Sequence, residues 1–131
     1  MNEILQPDGW MKPSGYANGI AARGRTVFVA GQIGWNPRGE LESDGLVDQV
    51  RQTLHNVVAV LAKANASPEH ITSMTWYLTD RMEYLDNLKE IGTVYREICG
   101  RNFPTMAAVQ VVSLMEARAK VEIQAVAVVP D

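Results

Sequence analysis

The residue best suited to proton transfer in this sequence is Glu122. It lies among apolar neighbours in the strand-like segment KVEIQAVAV, where an acidic residue is a poor strand former unless it faces water or has a chemical task. A carboxylate in such a position can act as a general acid or base. The alternative is a solvated strand face that Glu122 shares with Lys120 and Gln124.

Three further side chains lie in loops or at a strand end, and each has two interpretations. Tyr16, in the loop PSGYANG, either closes over a cleft or caps the sheet as a surface ring. Gln32, at the end of VFVAGQ, either contacts a ligand or pairs with backbone at a strand terminus. Trp35 is either a binding platform or an anchor of the fold. The segment NFPTMAAVQV, residues 102–111, carries no charge and therefore offers backbone amides but no cation.

Familiar catalytic and cofactor motifs are missing from the sequence. The glycines at 31, 34 and 39 do not have dinucleotide-binding spacing, and His55, His70 and Cys99 form no set at metal-ligand spacing. No serine or cysteine occurs in a recognisable nucleophile motif. We therefore expect neither a metal nor a nucleotide cofactor.

The composition of the chain predicts how many domains it has, which partners are disfavoured and where in the cell it lies. A chain of 131 residues with 47% hydrophobic residues predicts a single globular domain over residues 1–131. The net charge of −3 disfavours nucleic acid as a partner, and the apolar runs are far shorter than the roughly 20 residues of a membrane span. One cysteine and a start without a secretion signal favour a cytoplasmic protein.

Turn residues and hydrophobic periodicity predict the order β-β-α-β-α-β-β and an α+β fold. A single mixed sheet would carry two helices on one face. The predicted elements are two short strands around Arg23-Gly24-Arg25, a helix over residues 45–65 capped by Ser43 or Asp44, an alternating strand in SPEHITSMTWYLTD, a second helix from Asp80 to Gly100, a strand opened by Pro104, and a last strand over residues 118–129.

The last strand predicts self-association. From Ala125 to Val129 both strand parities are apolar, and a strand of that kind needs cover on both faces. The two predicted helices cover only one face. We therefore expect another copy of the chain to cover the second face, giving a homo-oligomer.

Five segments in order resemble the RidA/YjgF family of reactive-intermediate deaminases. They are GYANGI (15–20), VFVAGQIGWNPRG (27–39), QVRQTLHNVVAVLAKANAS (49–67), NFPTMAAVQVV (102–112) and KVEIQAVAV (120–128). The resemblance implies a chorismate-mutase-like α+β fold and a homotrimer with small-molecule clefts between subunits. It also implies hydrolysis of enamines or imines to a carbonyl compound and ammonia, with no metal or organic cofactor.

The resemblance also assigns site residues. Glu122 and Tyr16 correspond to the family's catalytic glutamate and loop tyrosine, and Gln32 to its strand-end glutamine. Other positions of the implied substrate site depart from the family pattern. Met106 replaces the arginine that grips the substrate carboxylate, Ala107 and Ala108 follow it in place of hydroxyl or thiol side chains, Ala30 replaces a serine, and Gly92 replaces an asparagine. Trp35, in the loop after Gln32, is also assigned to the substrate site.

These departures predict a roomier and more apolar pocket with a changed ligand. Arg101 and Arg118 precede the last two strands and are either substitutes for the missing cation or surface residues. The first functional hypothesis is a divergent deaminase, and the second is a non-catalytic trimer that binds a metabolite or regulates a partner enzyme. Chorismate-mutase activity is disfavoured because it needs arginines around a dicarboxylate, and ribonuclease activity is disfavoured by the acidic charge.

Overall fold

The computed structural model describes residues 2–131, which contain six strands, three α-helices and a short 3-10 helix at Pro68–His70. None of the helices among these residues is long and apolar enough to cross a bilayer. The strands are β1 (Glu3–Leu5), β2 (Gly19–Ala21), β3 (Arg25–Gln32), β4 (Ile71–Leu78), β5 (Thr105–Gln110) and β6 (Val121–Val129), and the helices are α1 (Leu46–Ala62), α2 (Arg81–Asp86) and α3 (Leu88–Cys99).

Four of the strands form the principal sheet in the order β3-β6-β4-β5. The pair β4 and β5 is parallel and the other neighbours are antiparallel, so the predicted mixed sheet and α+β class are confirmed. The prediction of a single sheet omitted a separate antiparallel ribbon of β1 and β2. Because β1 has only three residues, it shows no periodicity from which a strand could be recognised.

Alternation along the strands places the core on one face of this sheet. In β4, Met74, Trp76 and Leu78 are buried, whereas the residues between them are half-buried, as the alternating pattern predicts. Ile123 and Ala125 of β6 are buried on the same face. Helices α1 and α3 supply the opposing apolar side chains, which are Leu46, Val50, Leu54, Val57, Leu61, Ile91, Val94, Tyr95 and Cys99.

The second predicted helix is divided in two, contrary to the single helix expected from Asp80 to Gly100. Its predicted start is confirmed, because the Asp80 carboxylate accepts hydrogen bonds from the backbone N–H groups of Met82 and Glu83 at 3.0 and 3.1 Å. The helix breaks at Asn87, whose side-chain amide donates to the Glu83 carbonyl at 2.7 Å. A side chain that occupies this carbonyl competes with the regular helix hydrogen bond.

The structure differs from the prediction both at the cap of α1 and at the start of the last strand. Gly45 is the N-cap of α1, and neither Ser43 nor Asp44 caps it. The Asp44 carboxylate instead accepts a hydrogen bond from Arg118 at 2.8 Å, and this bond lowers the pKa of Asp44 below its usual value. The strand β6 begins at Val121 rather than at residue 118, because the Arg118 carbonyl and the Lys120 backbone N–H bond to the Gln49 side chain instead of a neighbouring strand.

A buried glutamine joins α1 to the loop that leads into β6. Gln49 is 1% exposed, and its amide nitrogen donates to the carbonyls of Ser43 and Arg118 at 3.0 Å each. Its amide oxygen accepts from the Lys120 backbone N–H at 2.8 Å. These bonds satisfy the buried amide and fix the end of the loop against the helix.

Candidate functional site

One concavity, here called the first hollow, has a volume of about 1160 Å³. It lies between α3, the edge strand β5 and the loop that precedes β2. Its walls are mainly apolar and aromatic, as is usual for small-molecule sites. The aromatic lining residues are Tyr16, Trp76, Tyr84, Tyr95 and Phe103, and the apolar ones include Ile4, Ala17, Met74, Leu88, Ile91, Met106 and Ala108.

Tyr16 reaches the first hollow because its neighbour is tied to β5. The backbone N–H of Ala17 donates to the Pro104 carbonyl at 3.0 Å, and Ala17 forms a parallel bridge with Thr105. Ala17 is buried, whereas Tyr16 is 39% exposed. The phenol therefore stands at the edge of the hollow, on a backbone that the sheet holds in position.

Met106 and Ala108 line the first hollow from the sheet. Each is paired across the parallel ladder, Met106 with Met74 and Ala108 with Trp76, so all four share the helix-facing side. The indole nitrogen of Trp76 is buried and has no hydrogen-bond partner among residues 2–131. The sheet wall therefore holds one unpaired donor and no charged group.

Helix α3 forms the opposite wall through Gly92 and Arg96. The two residues lie four positions apart, on one face of the helix. A Cβ built on Gly92 would lie 3.3 Å from Nη1 of Arg96. The guanidinium therefore folds back over Gly92 and occupies space that a larger side chain at position 92 would fill.

The base of this wall is a packed aromatic pair. Tyr95 stacks on Phe103 with 5.8 Å between ring centroids, and its hydroxyl donates to the Asn102 carbonyl. Burial raises the pKa of Tyr95 and raises that of the Cys99 thiol to about 12, so both groups are protonated at neutral pH. We assign them a structural role in holding the hollow.

The charged lining of the first hollow is entirely positive. Lys12, Arg96 and Arg101 line it, and no acidic residue does. Within residues 2–131 none of these three side chains takes part in an ion pair. The hollow is therefore set to attract an anion.

Glu122 lies on the other face of the sheet, in a second hollow of about 260 Å³. Its strand partner is Tyr77 of β4, and the loop residues Leu114 and Met115 complete the wall. The carboxylate rests against Gly31, where an added Cβ would overlap it. A glycine at this point of β3 thus makes room for the acid.

The remaining predicted site residues line neither hollow. The Gln32 side-chain amide donates to the Ala30 carbonyl at 3.1 Å, which agrees with the backbone-pairing alternative. Trp35 is 39% exposed and forms a bridge with Leu41 in the loop after β3. Ala107 is exposed and pairs with Thr75, on the sheet face opposite the helices.

Within one chain, therefore, the structure brings together only part of the predicted site. Tyr16, Gly92, Met106 and Ala108 line the first hollow, whereas Glu122 lines the second. The reason is the two-residue period of strand side chains, since Glu122 pairs with Tyr77 and its parity is opposite to that of the buried Trp76. A cleft with both Met106 and Glu122 needs two chains.

The structure also distinguishes the two arginines that the sequence offered as substitutes for the missing cation. Arg118 pairs with Asp44 on the surface, whereas Arg101 lines the first hollow. The sequence analysis did not identify Arg96 or Lys12. The four-residue spacing of Arg96 from Gly92 places both on one face of α3, but it does not by itself mark Arg96 as a site residue. Among residues 2–131 no group of three or more His, Cys, Asp or Glu side chains is arranged to hold a metal ion.

Comparison with known proteins gives relatives over most of the chain. A family model described as Endoribonuclease L-PSP matches residues 11–129. A RutC family protein from Pyrococcus horikoshii is 34% identical over 129 residues, covering 97% of this chain and 98% of the relative. The human 2-iminobutanoate/2-iminopropanoate deaminase is 31% identical over 105 residues, covering 79% of this chain and 73% of the relative.

A solved structure extends the similarity to the fold. A Rid-family protein from Yersinia pestis has a TM-score of 0.86 with this chain at 28% identity, and the match covers 98% of each chain. The family model, which matches residues 11–129, includes most of the residues that line the first hollow and all of those that line the second. The chain belongs to the endoribonuclease L-PSP family, which is the RidA/YjgF family of the sequence resemblance.

Proposed function

We propose that this protein is an enamine or imine deaminase that hydrolyses a reactive metabolite to a carbonyl compound and ammonia. The observation that carries the proposal is the gathering of Tyr16, Gly92, Met106 and Ala108 around the first hollow. The family resemblance assigns these same positions to one ligand site. The 31% identity to a human 2-iminobutanoate/2-iminopropanoate deaminase supports the reaction class.

The proposed active form is a homotrimer, supported by the uncovered face of the sheet and its adjoining loop. On this face Phe28, whose strand neighbour Val29 is buried on the other face, is 77% exposed, and Met115, which lines the second hollow beside Glu122, is almost fully exposed. Large apolar side chains exposed on one face mark an interaction site, and a closed ring of identical chains can cover them. The apolar residues 125–129, which favour cover on both sides, lie in the same sheet.

The trimer also accounts for the separation of the two hollows. In the proposed assembly, the first hollow of one subunit lies against the second hollow of its neighbour. Glu122 of the neighbouring subunit then completes the site that Tyr16 and Met106 begin. Neither chain has a complete site alone, because Glu122 lies across the sheet from its own first hollow.

In the proposed reaction, the imine is bound with its nitrogen protonated, as an iminium ion. Glu122 takes a proton from water while the water oxygen bonds to the imine carbon, and the electron pair of the C=N bond moves to nitrogen, which gives a carbinolamine. Glu122 then returns this proton to nitrogen, the C–N bond breaks as ammonia leaves, and the hydroxyl group becomes the carbonyl as its proton passes through Glu122 to the departing ammonia. An enamine first gains a proton from water at carbon and becomes the same iminium ion. Tyr16 closes the hollow over the substrate.

A non-catalytic metabolite-binding or regulatory trimer is the second candidate. It is favoured by the side chains of β5, since Met106, Ala107 and Ala108 offer no group that binds or activates a small acid. A carboxylate buried against this strand without a cation would cost several kcal/mol. Such a protein would hold its ligand in the first hollow without turning it over.

The test uses 2-iminopropanoate and larger imines, generated in the assay from an amino acid by a separate enzyme. Formation of ammonia and of the keto acid is followed for the wild type, Glu122→Gln and the control Glu90→Gln, an exposed acid on α3. We expect Glu122→Gln to lower the rate by about 10²-fold to 10⁴-fold, the range for loss of a general acid or base. Glu90→Gln should keep wild-type activity.

Two results would overturn the proposal. Wild-type activity in Glu122→Gln would remove Glu122 from the mechanism. Absence of turnover over the whole panel, with saturable binding of the corresponding keto acids, would favour the non-catalytic candidate. Light scattering should give about three times the 14.5 kDa of one chain, and a monomer at micromolar concentration would exclude a site shared between subunits.

A further inference from the structure

We propose that α3, rather than β5, supplies the cation that grips the substrate, and that the substrate is the imine of a 2-oxo acid with a large apolar or aromatic side chain. Arg96 is the principal anion-binding residue, with Arg101 and Lys12 at the same hollow. This inference rests on the proposed function. It concerns binding, however, and can be tested without turnover.

The charge of the first hollow favours a negatively charged ligand. Its three cationic side chains come from different parts of the chain: Lys12 from the loop before β2, Arg96 from α3, and Arg101 from the turn before β5. No acidic residue shares the lining, and none of the three is neutralised by an ion pair within residues 2–131. A ligand that enters the hollow therefore gains from carrying a negative charge.

The geometry of Arg96 suits it to bind a carboxylate. The guanidinium lies over Gly92, and its one hydrogen bond to another side chain among residues 2–131 is a long one of 3.5 Å from Nη2 to the Thr93 hydroxyl. A guanidinium has five N–H donors, so most of its capacity remains for a ligand. A planar fork of this kind binds a carboxylate through two parallel hydrogen bonds. Gly92, which would weaken a helix relative to alanine, leaves the fork its space.

The size and the apolar character of the remaining walls favour a large apolar or aromatic side chain on the substrate. A hollow of about 1160 Å³ is far larger than a three-carbon acid requires. Opposite Arg96, the sheet contributes Met106 and Ala108, and the rings of Tyr84 and Phe103 lie nearby. An apolar or aromatic body fills such a space by releasing water from both surfaces.

The indole N–H of Trp76 offers a hydrogen-bond donor at the first hollow. Trp76 is 2% exposed and lines the hollow, yet its indole N–H has no acceptor among residues 2–131. Buried donors are nearly always paired in native proteins. A ligand acceptor or a water molecule that accompanies the ligand would satisfy this N–H.

The test measures binding of two stable 2-oxo acids, phenylpyruvate and pyruvate, to the full-length protein by calorimetry. We expect phenylpyruvate to bind the wild type more tightly than pyruvate does. Arg96→Gln should raise the Kd of phenylpyruvate about tenfold or more, the loss expected for a charge-assisted bidentate contact. The matched control is Arg23→Gln, an exposed arginine outside the hollow, which should bind as the wild type does.

A second measurement uses the indole N–H signals of the three tryptophans in ¹H–¹⁵N NMR spectra. Phenylpyruvate should shift the Trp76 signal and leave those of Trp10 and Trp35 in place. Equal Kd values for Arg96→Gln and Arg23→Gln would overturn the role of Arg96. Equal affinity for pyruvate and phenylpyruvate would overturn the inference that the substrate has a large side chain. No shift at Trp76 would overturn the inference that this side chain lies in the first hollow. Each of these results is independent of whether the imines are hydrolysed, which tests the proposed function separately.

Discussion

Gly31→Ala tests the placement of Glu122 without changing the carboxylate itself. A Cβ at position 31 would overlap Oε2 of Glu122 and lie 2.8 Å from its Cδ, whereas ordinary contact begins at about 3.4 Å. The carboxyl carbon must therefore retreat by roughly 0.6 Å and the oxygen by more. Because a misplacement of about 1 Å can cost about 10²-fold in rate, we expect kcat/KM to fall on the order of 10²-fold.

The assay is the imine hydrolysis assay described above, combined with a double-mutant cycle. Gly45→Ala is the matched control, because a Cβ there would meet nothing closer than 3.5 Å. In a Glu122→Gln background, Gly31→Ala should lower kcat/KM little further, since both changes disable one group. The free energy of unfolding should change by less than about 1 kcal/mol, because the contacted group is the end of a flexible side chain.

The reasoning would be refuted by a Gly31→Ala variant with wild-type kcat/KM. It would also be refuted by additive losses in the double variant, because additivity would mean that residue 31 acts on something other than the carboxylate.

Two further predictions concern the first hollow and the core beneath it. Met106→Arg should lower the KM for 2-iminopropanoate roughly 10-fold to 100-fold by restoring a charged hydrogen bond on β5; an unchanged or higher KM would contradict a repurposed deaminase site. Burial raises the pKa of Cys99 from 9.0 to about 12, so the thiol loses its proton at a lower pH in the unfolded chain than in the folded one. The protonated thiol therefore contributes fully to stability below pH 9, and this contribution is lost as the pH rises toward 12. Urea unfolding from pH 8 to pH 10.5 should therefore show a steeper alkaline loss of unfolding free energy in the wild type than in Cys99→Ala, and parallel curves would contradict this assignment.

The long periodic elements were predictable because local spacing determined them. The alternation of Met74, Trp76 and Leu78 identified β4, and Asp80 and Gly100 marked the ends of the second helical region. The break at Asn87 was not predictable from periodicity, since it depends on which carbonyl the side chain selects. The same limit applied to Asp44. Its position in sequence is compatible with a cap of α1, and only the structure shows that it pairs with Arg118 instead.

The site was predictable as a set of positions but not as a geometry. Motif resemblance found Tyr16, Met106 and Glu122, yet their assignment to faces depends on the pairing of β6 with β4 and of β4 with β5. Strand pairing is non-local, so no local pattern showed that Glu122 and Met106 lie on opposite sides. Arg96 was missed because an exposed helix arginine is ordinary in sequence, and only its position over Gly92 distinguishes it.

The loop between β5 and β6 is fastened at both ends. At its start the Val111 backbone N–H donates to the Leu78 carbonyl, and at its finish Gln49 binds the backbone at Arg118 and Lys120. Between these ties the loop presents Met115 beside Glu122. A loop ordered in advance surrenders little conformational entropy when another surface meets it. The isolated chain thus already carries much of the shape that a neighbouring molecule would recognise.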